Sequence, residues 1–126
     1  MRARLAALAL LAAAAVGPGC TGGRAGDVPA PSTGGDADRG AALIADYGCG
    51  NCHTIPGIRS ANGVVGPPLF FFSRRTFIAG ELPNTPQNLV RWVLDPPSVE
   101  PGTAMPVLGL NEQQARDVAA YLYTLR

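Results

Sequence analysis

The feature that most constrains this chain is the five-residue segment CGNCH, which places Cys49, Cys52 and His53 together. His53 is the only histidine among 126 residues, and Cys20 is the only other cysteine. Residues 54–83, which follow the segment, are rich in Gly and Pro and show neither helical nor alternating periodicity. Long loops of this kind are unusual in a compact domain. They make sense if the loops wrap a large apolar group that is not protein.

Three kinds of site combine cysteines and a histidine at this spacing. A redox-active dithiol requires a parallel α/β pattern around the motif, and this sequence has none. A structural zinc site usually has four protein ligands, so Cys49, Cys52 and His53 would need a carboxylate beside them. The third is covalently attached haem, for which C-x-x-C-H is the attachment signature. Two thiols then bond one edge of the porphyrin, and the histidine that follows can bind the iron. We favour this third interpretation.

The N-terminus has the pattern of a secretory signal peptide. Arg2 and Arg4 precede twelve uncharged apolar residues, LAALALLAAAAV, fewer than the roughly 20 that a membrane-spanning helix needs. We predict that residues 1–20 are a signal peptide; an uncleaved anchor is the alternative, and either one places the rest of the chain outside the cytoplasm. Cys20 resembles the lipid-attachment cysteine of bacterial lipoproteins and would tether the protein to a membrane. Cleavage elsewhere would leave Cys20 as a free thiol.

Composition divides the exported part into two. Residues 21–37 are mostly Gly, Pro, Ser, Thr and Ala and cannot build a core, so we predict a flexible tether there. The folded domain is then predicted over residues 38–126. The chain has a formal charge of +1 and no lysine. Because no run of basic residues is present, nucleic-acid binding is not expected.

The domain is predicted to be all-α, with three or four short helices, long loops and no strand. Capping residues mark three helix starts, at Asp38, Thr85 and Asn111. Gly48 is expected to end the first helix and Pro96 the second. The third helix carries a capping box at its start and one apolar face.

Four segments in this order resemble the class I cytochrome c family over about residues 38–126. RGAALIADYGCGNCH is similar to the family's first helix and haem motif, and GPPL at 66–69 to its Gly-Pro-x-Leu segment. PGTAMP at 101–106 resembles the loop of the methionine ligand, and DVAAYLYTL the C-terminal helix. The resemblance implies a small cytochrome c fold around one haem c, held covalently by Cys49 and Cys52. It also implies an electron-transfer protein rather than an enzyme.

The resemblance further implies that His53 and Met105 are the two iron ligands. Met105 is the only methionine apart from Met1, and the chain offers no second histidine and no lysine. A thioether ligand raises the reduction potential relative to two histidines. With both positions filled, the iron exchanges one electron and binds little else. If Met105 did not bind, the open position would favour a catalyst or a gas sensor instead.

More contacts with the haem follow from the resemblance alone. The carbonyl of Pro67 is expected to accept the second N–H of His53, and Arg75, or its neighbour Arg74, to lie near a propionate. Leu69 and Trp92 are expected to pack against the haem. Beyond the two ligands and the two cysteines, the predicted haem-binding residues are therefore Pro67, Leu69, Arg75 and Trp92.

Two further features are predicted, a close helix crossing that the resemblance implies and a run of aromatic residues. Gly40 and Tyr121 resemble the pair at which the terminal helices cross closely, with Ile44 where the family often has an aromatic residue. Residues 70–72, three phenylalanines, are expected in the core and the haem-pocket wall, although they could instead leave an apolar docking patch. Without lysine, charges near the exposed haem edge would come from Arg59, Arg74 and Arg75.

Together these features predict an exported, monomeric one-electron carrier. It would pass electrons between membrane respiratory complexes, with a terminal oxidase as a plausible acceptor. The alternative is a haem c subunit of a larger oxidoreductase complex, such as a periplasmic dehydrogenase.

Overall fold

A computed structural model describes residues 30–126 of the chain. Three α-helices, α1 (Ala37–Asp46), α2 (Pro86–Leu94) and α3 (Glu112–Leu122), are joined by long loops with short 3₁₀ turns. This confirms the predicted class of short helices and long loops. Two-residue strands β1 (Phe77–Ile78) and β2 (Leu82–Pro83) form an antiparallel hairpin. The expectation that the domain has no strand is therefore wrong, because strands of two residues are too short to show a detectable alternation.

The predicted signal peptide, Cys20 and most of the predicted tether lie outside the described residues, and these interpretations stay predictions. Within residues 30–126, no helix is long and apolar enough to cross a membrane.

Helix α1 begins earlier than predicted because its cap is Asp36 and not Asp38. The Asp36 side chain accepts a hydrogen bond from the Arg39 N–H at 2.9 Å. The backbone N–H of Asp36 donates to the Asp117 carboxylate on α3 at 2.8 Å, which holds the cap in place. Asp38 lies in the first turn of the helix. Gly48 adopts a left-handed φ of 68° just beyond the helix end, as the sequence predicts.

The other two helix starts are as predicted. Thr85 caps α2 by accepting from the Asn88 N–H at 3.3 Å. Asn111 and Gln114 form the reciprocal capping box of α3, with each side chain accepting from the other's backbone N–H at 2.9 Å. Both caps are local, which is why the sequence alone predicts them.

Helices α1 and α3 cross in direct backbone contact. A Cβ atom built on Gly40 would lie 2.0 Å from the Asp117 carbonyl oxygen and 3.0 Å from the Tyr121 Cβ. Gly40 and Tyr121 therefore meet at this crossing, as the sequence predicts. The core lies beside it, where apolar faces of all three helices pack together: Ile44, Leu89, Val90, Val93, Ala115, Val118, Ala119 and Leu122.

The folded part of the chain starts before residue 38. Thr33 is buried; its hydroxyl donates to the Arg116 carbonyl at 3.0 Å, and Arg116 donates back to the Thr33 carbonyl at 3.2 Å. The last residues of the predicted tether, 33–37, are thus packed against α3 or begin α1. Composition could not reveal this, because the contacts use Thr and Gly residues that are also common in linkers.

Asp117 is a buried carboxylate at the centre of these contacts. It accepts hydrogen bonds from the Asp36 backbone, from Arg39 at 3.0 and 3.1 Å, and from Gln113 at 3.0 Å. The Arg39 hydrogen bond is the main reason that the pKa of Asp117 falls from 3.8 to about 2. A lowered pKa in the folded state stabilises the protein above the unfolded pKa, and this stability is lost as pH falls towards 2.

Replacing Asp117 with Asn should therefore lower the free energy of unfolding at pH 7 by about 1–3 kcal/mol. It should also flatten the fall in stability between about pH 4 and pH 2. Denaturant unfolding across this pH range measures both effects. Asp38→Asn, the same change at an exposed position on α1, is the control and should change stability by less than about 0.5 kcal/mol. Equal pH profiles for the Asp117 variant and the wild type would contradict the assignment.

Candidate functional site

A cavity of about 570 Å³ opens between the three helices and the loop that contains Met105. Its volume lies within the roughly 300–1,000 Å³ typical of small-molecule and cofactor sites. Its wall is mainly apolar, and the helices contribute Ile44, Leu89, Trp92, Val93, Val118 and Leu122. The cavity can therefore hold a large apolar group at the centre of the fold.

Residues of the CGNCH segment line this cavity because the chain turns sharply after α1. Gly48 permits the turn, and a 3₁₀ turn over Cys49–Asn51 follows directly. The N–H groups of Cys52 and His53 both donate to the Cys49 carbonyl, at 3.2 and 3.0 Å. This compact turn brings both cysteines and the histidine to the cavity wall.

The two cysteines are free thiols in different environments. Cys49 is half-buried, and burial raises the pKa of its thiol, whereas Cys52 is exposed. Within the described residues, no three His, Cys, Asp or Glu side chains lie close enough together to hold a metal ion.

The imidazole of His53 is held in one orientation by the backbone of residues 66–67. Its Nδ1 lies 2.7 Å from the Pro67 carbonyl oxygen, the contact that the resemblance implies. A carbonyl oxygen only accepts, so Nδ1 carries the proton, and Nε2 keeps a free lone pair for a metal ion. The ring also packs against Gly66, where an added Cβ would lie 2.3 Å from the His53 Cε1.

Gly66→Ala should therefore displace the His53 ring. We expect the haem-loaded variant to contain a fraction of high-spin iron and to be less stable than the wild type. The absorption spectrum of the oxidised protein and a denaturant titration measure these effects. Gly102→Ala is the matched control, because its new Cβ would meet only the end of the Glu100 side chain at 3.1 Å. A Gly66→Ala spectrum identical to that of the wild type would contradict this packing.

Met105 reaches the cavity wall on a loop that is held by its own side chains. The Thr103 hydroxyl accepts from the Met105 N–H at 3.2 Å, and the Thr103 N–H donates to the Glu100 carbonyl at 3.0 Å. The Glu100 carboxylate accepts from the Gly102 N–H at 3.0 Å. These bonds pair three backbone N–H groups of a loop that lacks regular structure, and Met105 itself is half-buried.

The structure distinguishes between the two adjacent arginines. Arg75 lies on the cavity wall and donates to the Pro68 carbonyl. Arg74 is exposed, lies off the wall and stacks over the Phe71 ring at 5.4 Å. Of the two, Arg75 is therefore the one placed to meet a charged group in the cavity.

The three consecutive phenylalanines do not all face inward, contrary to one of the two predictions. Phe72 is buried on the cavity wall, but Phe70 and Phe71 are 48% and 57% exposed and lie off it. The reason is the backbone: Phe71 has a left-handed φ of 52° just before a 3₁₀ turn.

Every predicted site residue lies on the wall of the same cavity: Cys49, Cys52, His53, Pro67, Leu69, Arg75, Trp92 and Met105. Two thiols, one imidazole with a free Nε2 and one thioether form a donor set that fits a covalently held haem. The surrounding wall is apolar enough to cover a porphyrin. The residues present therefore fit the group that the sequence predicts.

Sequence reasoning missed other parts of the wall. The hairpin contributes Phe77 and the residues 78–80 to the wall. Ala79 and Gly80 have left-handed φ angles, of 53° and 81° respectively. The three-residue loop that contains Gly80 is a weak hairpin signal that could have been noticed. Glu100 is also on the wall, and its place directly before the PGTAMP segment was the available clue.

Comparison with known proteins agrees with the predicted fold. The family model for cytochrome c matches residues 37–126, so this chain belongs to the cytochrome c family. It is 33% identical over 91 residues to cytochrome c oxidase subunit 2 of Alkalihalophilus pseudofirmus, covering 71% of this chain and 26% of that protein. It is 36% identical over 87 residues to the subunit 2 of Bacillus sp. strain PS3, covering 66% and 24%. The chain thus spans about a quarter of the length of these relatives.

Family membership defines the general character of the site. A cytochrome c domain binds haem and transfers electrons.

Proposed function

We propose that this chain is a mono-haem c-type cytochrome that carries one electron at a time. The haem is bonded through Cys49 and Cys52, and its iron is bound by His53 and Met105. The observation that supports this most strongly is that the only histidine and the only methionine after Met1 both lie on one cavity wall. The His53 ring is oriented by Pro67 so that Nε2 is the nitrogen left to bind iron.

The bound haem supplies a one-electron change at iron, and the protein controls how easily that change occurs. Pro67 and Gly66 hold the His53 ring, and the Thr103 hydroxyl holds the backbone at Met105. Because both ligands are held by the backbone around them, little movement is needed when the iron changes charge. The apolar wall excludes water, which keeps the change in solvation small.

Covalent attachment gives the direct test of this assignment. We expect the haem of the wild-type protein, produced with haem-attachment machinery, to stay with the protein in acidified organic solvent. A Cys49→Ala/Cys52→Ala variant should release any haem it holds. If the wild type also releases its haem, the c-type assignment is wrong.

We further propose that the partners are membrane respiratory complexes, with a terminal oxidase as acceptor. The similarity to two cytochrome c oxidase subunit 2 proteins supports an oxidase partner. Docking would occur at the mouth of the cavity, where Val65 and Phe77 are 75% and 54% exposed and also line the cavity. Since this rim is apolar and the chain has no lysine, apolar contact should matter more than charge.

Phe77→Ser should slow electron transfer to such an oxidase about fivefold or more, because aromatic residues including Phe are enriched in the buried centre of interfaces and docking would bury this ring. The second-order rate constant from stopped-flow kinetics measures this effect, and the midpoint potential should change little. Phe71→Ser is the matched control: Phe71 is equally exposed, at 57%, but lies off the cavity wall. Equal slowing by both variants would contradict docking at the cavity mouth.

The rate of electron transfer by the wild-type protein should also vary little with salt concentration, because salt screens contacts between charges and not apolar contacts.

We propose that the protein is exported and anchored through lipid on Cys20, with the residues up to Thr33 as the tether. The composition of residues 1–29 supports this arrangement. The mass of the mature protein tests it. An acylated N-terminal Cys20 is the expected form, and Cys20→Ser should move the protein to the soluble fraction. A mature N-terminus elsewhere would exclude lipidation.

A haem subunit within a larger oxidoreductase complex is the second candidate. It is favoured by the fact that both relatives are oxidase subunits of which this chain covers only about a quarter. Size-exclusion chromatography of detergent-solubilised membranes separates the two. Co-elution with other redox subunits at constant stoichiometry indicates a subunit, and elution as a monomer indicates a carrier.

A further inference from the structure

Two charged side chains lie on the wall of the haem cavity among the described residues. They are Arg75, on the segment after the phenylalanines, and Glu100, on the loop that contains Met105. The role of an arginine there follows from the family resemblance. The family resemblance implies no role for a carboxylate on the loop that contains Met105. Neither electron transfer nor iron binding requires a carboxylate there.

The Glu100 side chain is held at the wall by a specific contact. One carboxylate oxygen accepts from the Gly102 N–H at 3.0 Å, and the residue is half-buried. Within the part of the chain that the structure describes, neither Arg75 nor any other cation forms an ion pair with Glu100. Its carboxylate therefore lies beside an apolar cavity, is oriented by the Gly102 N–H, and forms none of the ion pairs found within residues 30–126.

A fixed negative charge at this place acts on the iron through electrostatics. The oxidised iron carries one more positive charge than the reduced iron, so a nearby carboxylate stabilises the oxidised form. The effect is larger beside an apolar wall than in water, because the effective dielectric constant is lower there. Arg75 has the opposite effect, since a cation on the wall stabilises the reduced form.

We propose that Glu100 is a positioning and tuning residue that lowers the reduction potential of the haem, with an effect opposite in sign to that of Arg75, which lines the same cavity. This inference rests on the proposed haem function. Glu100 binds no metal and touches no reacting atom; it acts through its charge and through the shape of the Met105 loop. The potential is therefore set by residues on two loops in addition to the ligand pair.

Glu100→Gln is the central test, because the amide oxygen can still accept from Gly102 while the charge is removed. In an equilibrium redox titration of the haem-loaded protein, the variant should be easier to reduce. At the wild-type midpoint, its ratio of reduced to oxidised protein should be about threefold higher or more. At about 59 mV per tenfold for one electron, this is a shift of about 28 mV. Glu112→Gln, an exposed glutamate off the cavity wall, is the matched control and should not shift the midpoint.

Glu100→Asp separates charge from shape, since it keeps the charge but shortens the reach to Gly102. Its midpoint should stay closer to that of the wild type than the midpoint of Glu100→Gln does. If both variants shift equally, or if Glu100→Gln does not shift, the inference is overturned. The spectrum of the oxidised wild type distinguishes this failure from a failure of the proposed function. A low-spin spectrum with the sulfur–iron band leaves the carrier function intact, and a high-spin spectrum removes it.

Discussion

Replacing Met105 with Ala should lower the midpoint potential of the haem-loaded protein by about 0.1 V or more. Axial ligands set haem potentials over a range of about 0.8 V, and loss of the soft thioether removes the ligand that favours the reduced iron. The variant should also lose the weak long-wavelength band of sulfur bound to oxidised iron. Potentiometry and absorption spectroscopy measure the two effects on the same samples.

Leu108→Ala is the matched control for this change. Leu108 lies on the same loop and the same cavity wall, so the substitution removes similar apolar volume without removing a donor atom. It should keep the long-wavelength band and a midpoint close to that of the wild type. The Met105 variant should in addition bind carbon monoxide readily when reduced, because its sixth position is open. If both variants behaved alike, Met105 would be a packing residue and not a ligand.

Gly40→Ala should destabilise the protein by about 1–3 kcal/mol or more, although Ala is favoured over Gly within helices by about 1 kcal/mol. The reason is the crossing of α1 and α3. The new Cβ would lie 2.0 Å from the Asp117 carbonyl oxygen, a backbone atom that cannot move without shifting α3. Denaturant unfolding of the haem-loaded protein measures the loss of stability.

Ala42→Val is the control for Gly40→Ala. It adds a larger group to the same helix at an exposed position, so only a small effect of helix propensity is expected. A Gly40→Ala protein as stable as the wild type would show that the two helices are not in backbone contact at this residue.

The sequence predicts the local features of the fold well. The caps at Thr85 and Asn111 form as expected because each uses a side chain and a backbone N–H three residues apart. The start of α1 is different, since two aspartates are both suitable caps. Asp36 is selected by its bond to Asp117 on α3, a tertiary contact that no local pattern reveals. The same is true of Thr33, whose hydrogen bonds join it to Arg116.

In the candidate site, too, features set by local sequence could be predicted and features set by tertiary structure could not. Its predicted residues all lie on one cavity wall. They could be predicted from the sequence because the motifs that carry them are short and fall in a recognisable order. Their contacts with the haem stay predictions. The positions that were missed depend on backbone geometry: Phe71 points outward because of its left-handed φ, and the hairpin reaches the wall through Ala79 and Gly80. Glu100 was missed although it directly precedes the PGTAMP segment, because an acidic residue in a loop is usually exposed to solvent and its place on the wall depends on the course of the loop.

The most direct test of iron binding by His53 and Met105 is the absorption spectrum of the oxidised wild-type protein, followed by exposure of the reduced protein to carbon monoxide. We predict a low-spin spectrum with the weak long-wavelength sulfur–iron band, and little binding of carbon monoxide. A high-spin spectrum with ready binding of carbon monoxide would contradict the carrier function, because the sixth position of the iron would then be open.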